Sequence, residues 1–239
     1  IEDTTRLVRL EQVRKDFVAN VSHELRTPIQ LIKGFSETLL DSPINDPGQL
    51  RHYIEIIRKN AGTMENLTND LLILASLENG DNSRSDFEEQ RIASLLAESV
   101  ASVELQAKRK NISIILDCPG GLTAKVHGSF IIQALINLLD NAIKYSPDNS
   151  VIRASAFLKN TEIVLEVKDE GIGIPAEHLE RIFERFYRVD RSRSREAGGT
   201  GLGLSIVRHI ALLHAGKAEV ESHAGEGSIF RIKIPQTAM

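Results

Sequence analysis

Apolar residues recur along the first forty positions at steps of three and four: Leu10, Val13, Phe17, Val21, Leu25, Pro28, Leu31 or Ile32, Phe35 and Leu39. That spacing lays one stripe down a helix and predicts a single helix from residue 1 to about residue 40. Pro28 lies inside it, removes a backbone donor and is expected to bend the axis. Asp41-Ser-Pro-Ile-Asn-Asp-Pro-Gly48 is a turn cluster that breaks the helix. A second helix follows, with Leu50, Ile54, Ile57, Ala61, Met64, Leu67, Leu71 and Leu74 near heptad spacing. Two long helices with one apolar seam each make a hairpin, and a hairpin alone buries too little. Pairing two hairpins into a four-helix bundle resolves this, so a homodimer is the physical expectation. A monomer whose seam packs on the rest of the chain is the alternative.

Leu77-Glu-Asn-Gly-Asp-Asn-Ser-Arg-Ser-Asp86 is polar, with Gly80 as a C-cap, and reads as a linker. Beyond it the pattern is mixed. Helices are predicted from Ile92 to about Arg109, from Ser129 as N-cap to about Tyr145, and from Leu202 to His214, the last ended by Gly216. Strands are predicted at 112–116, 125–126, 151–158, 161–167, 218–221 and 228–234, with 151–158 and 161–167 pairing through a turn at Lys159-Asn160. The fold class is therefore α+β. A helical hairpin (residues 1–79) and a linker (80–86) precede a domain over 87–239, an α/β sandwich with helices on one face of a mixed sheet.

The totals narrow the chemistry. Hydrophobic content of 41% and charged content of 26% in 239 residues are ordinary for a globular protein. A net charge of −4 gives no reason to expect nucleic acid or an anionic membrane as partner. A single cysteine, Cys118, excludes an internal disulfide and any cysteine-rich metal site. No apolar run approaches the roughly 18 residues that span a bilayer. The chain starts without Met in an already helical, charged pattern, so it is expected to be the cytoplasmic part of a longer protein.

Several side chains stand out against this background. His23 is two residues from both Val21 and Leu25, so at about 100° per residue it points away from the apolar stripe. Taken alone, it is a solvated surface histidine. Glu24 is adjacent and Thr27 lies one turn along on the same face. Asn137, Asn141 and Lys144 fall at i, i+4 and i+7 and share one helical face, beside Tyr145. Two amide oxygens and an ammonium so placed suit a hard cation and a phosphate chain, although a plain polar face has the same pattern. Asp169-Glu-Gly171-Ile-Gly173 closes a strand, where glycines admit a flat ligand and a carboxylate accepts from an exocyclic amine; ordinary tight turns also read this way. Five arginines (185, 188, 191, 193 and 195) precede Gly198-Gly199-Thr200-Gly201-Leu202-Gly203. Interleaved acids argue against a nucleic-acid patch. The glycine run enters a helix and aims backbone N–H groups at an anion, but it follows a polar loop and does not match the dinucleotide fingerprint.

His23-Glu-Leu-Arg-Thr-Pro28, preceded by Phe17-Val-Ala-Asn-Val-Ser22, resembles the phosphoacceptor box of sensor histidine kinases of two-component systems, nearest to phosphate-responsive ones. The segments around Asn141, Asp169 and Gly201 resemble three further motifs of that family, in the same order. The resemblance covers nearly the whole chain. It implies a dimerisation and histidine-phosphotransfer hairpin followed by an ATP-binding domain of the gyrase, heat-shock-ninety and histidine-kinase type. It implies ATP and Mg²⁺ as cofactors, with Asn141 and then Asn137 as metal ligands and Lys144 on phosphate. Tyr145 would pack near the base and Asp169 would read the adenine amine, with Gly171 and Gly173 shaping its loop. Gly199, Thr200, Gly201, Leu202 and Gly203 would belong to a lid over ATP, with Phe183 and Phe186 as its hinge and Arg185 reaching the phosphates. His23 would accept the phosphoryl group, Glu24 would orient its ring, and Thr27 would serve in dephosphorylating a response regulator. The implied partners are a second copy and a receiver domain, with membrane attachment only through segments absent here, in a bacterial membrane-anchored protein. A non-catalytic scaffold and an ATP-hydrolysing clamp are the competing readings. Asn141, Lys144, Asp169 and the lid glycines oppose the first, and the clamp leaves the histidine box without a purpose.

Overall fold

A computed structural model describes residues 2–41, 46–78, 86–190 and 199–236, with side chains from residue 15 onward. Turn positions 42–45, linker positions 80–85 with Gly80, and Arg191, Arg193, Arg195 and Gly198 lie outside the described residues. Two compact units carry the chain, one built on residues 1–71 and one on residues 72–197 and 201–239.

The first unit is the helical hairpin of α1 (Glu2–Asp41) and α2 (Pro47–Glu78), the latter running on past the unit's limit. Asp46 opens α2: its carbonyl accepts from Leu50 N at 3.1 Å and its Oδ1 from Gly48 N at 2.9 Å. Phe35 of α1 meets Tyr53 of α2 with ring centroids 5.1 Å apart. Between residues 15 and 71, Pro28 and Leu67 alone are buried among the described side chains. Val21, Leu25, Ile32, Phe35 and Leu39 of the stripe are half-buried, as are Ile57, Met64 and Leu71. Leu31 is exposed, so Ile32 is the stripe member at that step. Leu50 and Ile54 stand 40% and 50% exposed in a shallow groove of about 400 Å³ shared with Pro47, Arg51, Glu55 and Arg58.

The second unit has a sealed core, although Leu105, Ile172 and Leu212 among others remain exposed at its surface. A five-stranded sheet runs in the order β2-β4-β5-β7-β6, from Ser113–Asp117 (β2), Val151–Lys159 (β4), Glu162–Asp169 (β5), Lys217–His223 (β6) and Gly227–Pro235 (β7). Only the β2–β4 pair is parallel. Cross-strand rows Ala154–Val167–Phe230 and Ala156–Leu165–Ile232 face inward under α3 (Ile92–Arg109), α4 (Gly128–Tyr145) and α6 (Gly203–Leu213). The short α5 (Ala176–Leu179) lies between β5 and α6 in sequence. Ile131, Ala134, Leu135, Leu138, Leu139, Ala142 and Ile143 give α4 its buried stripe, at the alternating steps of three and one that a helix packed on a sheet requires.

Three local expectations are corrected. Ser129 does not cap α4: the helix begins one residue earlier, His127 is the N-cap, and Ser129 Oγ pairs with His127 Nδ1 at 3.1 Å. His127 is held there because its N–H donates to His214 Nε2 at 3.1 Å, a tie invisible to local pattern. At the end of α6, Ala215 takes the left-handed turn (φ 53°), and Gly216 follows because a side chain there would run into Lys233 O. A two-stranded sheet of β1 (Glu88–Arg91) with β3 (Thr123–Val126) was also missed, since Glu-Glu-Gln-Arg carries no apolar alternation.

Candidate nucleotide site

The inward alternation of β5 explains the position of Asp169. Ile163, Leu165 and Val167 face the core, and the next residue of the same parity is a carboxylate, 5% exposed, at the end of the strand. Its Oδ1 accepts from Gly171 N at 2.8 Å and Ser228 N at 3.2 Å. Burial pushes the Asp169 pKa up, and these two N–H donors oppose the rise. The strand end is thus a desolvated acceptor held by backbone.

The glycines after it are required by space. A Cβ on Gly171 would stand 2.7 Å from Asp169 Oδ1 and 2.8 Å from Tyr145 O. Gly173 combines φ +65° with a close approach to His223 O that no side chain permits. The loop is fastened by Ile172 N to Tyr145 O at 3.3 Å, Gly225 N to Ile172 O at 2.8 Å, and Ile174 N to Ser222 Oγ at 2.8 Å. Asp169 and the end of α4 therefore form one corner.

On the unburied face of α4, Asn137, Asn141 and Lys144 project together as their spacing predicts, all half-buried. Burial lowers the Lys144 pKa to about 8, the neighbouring Arg188 guanidinium adds to this, and Asp140 opposes it. Lys144 Nζ lies 5.2 Å from the Tyr145 ring centre, and burial raises the Tyr145 pKa against the pull of Arg188. Asn137 Nδ2 donates to Gly203 O at 3.3 Å and its Oδ1 accepts from Gln133 Nε2 at 3.3 Å, which joins α4 to the start of α6.

Leu202 is fully buried at the head of α6. Gly201 accepts at its carbonyl from Phe186 N at 2.8 Å, and both residues have positive φ (75° and 62°). Phe183 packs edge-on against Phe230 with centroids 6.5 Å apart. Gly199 and Thr200 group with the helical unit. The structure places Arg185 against His209 Nε2 at 3.1 Å, while His209 Nδ1–H donates to Ser205 O at 2.8 Å. Arg188 is the cation that faces Lys144 and Tyr145, and local pattern could not choose between two arginines three apart. In the hairpin, His23 is exposed on α1, with Glu24 and Thr27 half-buried.

This donor set suits a nucleotide and a metal carried on it. Neutral amide oxygens from Asn141 and Asn137 match a hard cation that keeps phosphate oxygens and water as its other ligands. Among the described residues no cluster of three or more His, Cys, Asp or Glu side chains is fit to hold a metal by itself. No described helix is long and apolar enough to cross a membrane.

Comparison with known proteins identifies the family. Residues 13–80 match the His Kinase A (phospho-acceptor) domain, and residues 127–238 match the histidine kinase-, DNA gyrase B- and HSP90-like ATPase family. The phosphate regulon sensor protein PhoR of Pseudomonas aeruginosa is 42% identical over 96% of this chain, which spans 52% of that relative. The nucleotide-free catalytic domain of histidine kinase ThkA is 31% identical, with TM-score 0.57 over 64% of this chain and 97% of that one. ThkA in complex with response regulator protein TrrA gives TM-score 0.70 at 29% identity over 99% of this chain and 66% of that one. A phosphoacceptor hairpin joined to an ATP-binding domain, matched over nearly its full length, places this chain in the sensor histidine kinase family.

Proposed function

We propose that this chain is an ATP-dependent protein-histidine kinase core that phosphorylates His23 and passes the phosphoryl group to a response-regulator aspartate. Residues 1–79 act as the dimerisation and phosphotransfer domain, 80–86 as linker and 87–239 as the catalytic domain. The observation that carries the reading is Asp169, a carboxylate buried where the core should continue and braced by two backbone N–H groups. A buried carboxylate beside an open corner suits the exocyclic amine of adenine. Lys144, with Arg188 and Arg185, neutralises the phosphates. Mg²⁺ on Asn141 and Asn137 would draw charge from the phosphate oxygens.

In the first step a ring nitrogen of His23 uses its lone pair to form the N–P bond. The bond from the γ-phosphorus to the bridging oxygen breaks, and ADP departs with that electron pair. Glu24 accepts the hydrogen bond of the other ring N–H and stabilises the imidazolium that develops. In the second step an aspartate oxygen of the receiver attacks the phosphorus, the N–P bond breaks with its electron pair returning to the ring nitrogen, and His23 is regenerated. The ThkA–TrrA complex supports a receiver as partner. Thr27, one turn from His23, positions water for the reverse task of dephosphorylating the regulator. Half-exposed apolar seams on α1 and α2 support a homodimer, and the resemblance to sensor proteins supports attachment to a membrane through segments beyond this chain.

Incubation with Mg²⁺ and terminally labelled ATP tests the reading. Wild type is expected to take up acid-labile, base-stable label that His23→Ala loses while still binding nucleotide. Thr27→Ala keeps the label but loses regulator phosphatase activity. Label persisting in His23→Ala would overturn the assignment, and equal loss of both activities in Thr27→Ala would remove the separate role of Thr27.

A further inference from the structure

A helix leaves its last carbonyls without intrahelical partners, and buried ones must find a donor elsewhere. At the end of α4 each of them has one. Ala142 O accepts from Ser146 N at 3.0 Å and Tyr145 O from Ile172 N at 3.3 Å. Ile143 O, Lys144 O and Ser146 O all converge on the ammonium of Lys110, at 2.9, 3.1 and 2.8 Å. Lys110 is the C-cap of α3, distant in sequence, and its three donors meet three acceptors. A cation there also faces the negative end of the α4 dipole. Its neighbourhood is fastened to the same junction: Asn149 N donates to Lys110 O at 3.0 Å, and Asn111 Nδ2 to Asn149 Oδ1 at 2.6 Å. From the other side Val151 N donates to Glu170 Oε2 at 3.1 Å, so the junction is gripped between Lys110 and the Asp169 loop.

We propose that Lys110 is a positioning residue for base selection, fixing the end of α4 so that Lys144 and the Asp169 loop keep one separation. This rests on the nucleotide reading above. The loop is anchored through Tyr145 O, and that carbonyl lies between two that Lys110 holds. Without the ammonium, the carbonyls of residues 143, 144 and 146 turn towards water, and the anchor for Ile172 moves with them. Asn141 and Asn137, one and two turns back, keep their places. Base recognition therefore loses more than phosphate binding. Guanine presents a carbonyl where adenine presents an amine, and a carboxylate rejects it only from a fixed position.

The test measures equilibrium binding of ATP and GTP to the full chain, with thermal melts, for wild type, Lys110→Met and Lys110→Arg. Lys110→Met is expected to weaken ATP binding about tenfold and to shrink the ATP-over-GTP preference by a similar factor. Its kcat for His23 labelling at saturating ATP is expected to stay within about twofold of wild type. A clamp that only holds the fold together would lower the melting temperature and leave the preference of folded molecules unchanged, and that result overturns the proposal. Should Lys110→Met not fold, Lys110→Arg decides. A planar guanidinium cannot serve all three carbonyls, so an intermediate preference supports the role and an unaltered one overturns it. Wild type that binds neither nucleotide would instead overturn the nucleotide reading itself, before any substitution is compared.

Discussion

The hairpin and the sheet domain solve opposite problems with similar composition. In the hairpin, Pro28 and Leu67 are the buried residues among the described side chains between positions 15 and 71, and the apolar stripe stays half-open. In the sheet domain, Ile131, Leu135, Ile152, Ile163, Leu165 and Ile232 are sealed to 0% exposure. The histidine of the first region stands outside its helix, where a large partner can reach it. The carboxylate of the second sits at the end of a core-facing strand, where a small ligand must come to it. In the proposed function, a surface acceptor for macromolecules and a buried reader of a nucleotide call for these different neighbourhoods.

The largest expected effect attacks the buried side of this contrast. Asp169→Asn keeps the volume and an oxygen for Gly171 and Ser228 but turns an amide donor toward the adenine amine. ATP affinity is expected to fall about a hundredfold with the fold intact, read by titration calorimetry and circular dichroism. A change below threefold would mean that Asp169 does not face the base.

The open side is tested next. Ile54→Glu puts a charge into the groove beside Leu50 and is expected to shift sedimentation from dimer to monomer. The melting transition of the sheet domain should not move by more than about 2 °C, since Ile54 belongs to the other compact unit and is no part of the sheet domain's core. A dimer that survives Ile54→Glu would show that this part of the seam is not the interface.

A smaller effect reads the electrostatics of the nucleotide face. The pKa of Lys144 is about 8 in the free protein, and phosphate binding favours its charged form. Nucleotide affinity is therefore expected to decline as pH rises through about 8, by at most tenfold per pH unit, and Lys144→Met is expected to lose that slope. An equal slope in both proteins would assign it to another group.

The smallest lies in the frame. Burial lowers the pKa of His214, against its bond from Nδ1–H to Ile210 O and with help from His127. The unfolded chain then binds a proton at the ordinary value of about 6.5 while the folded chain does not. The stability this supplies is complete above that value and is lost as pH falls from it toward the lower folded pKa. The loss cannot exceed about 1.4 kcal/mol per pH unit. Urea midpoints at pH 7.5 and 5.5 for wild type and His214→Gln check the sign, and a wild type that gains stability on acidification relative to the variant would reverse it.

Much of this was legible in the amino acids. Period fixes helices α1 and α2 and the face of His23, because side-chain direction on a helix depends on spacing alone. The same rule places Asn137, Asn141 and Lys144 together, and alternation along β5 runs straight to Asp169. Tertiary structure decided what local pattern cannot encode. It chose Arg188 over Arg185 as the cation beside Lys144, set His214 against the head of α4, and paired Glu88–Arg91 with β3 despite its polar sequence. It also brought Lys110 to carbonyls more than thirty residues away. Each of these is a hydrogen bond or charge contact between segments distant in sequence, and such partners exist only once the sheet has brought the segments together.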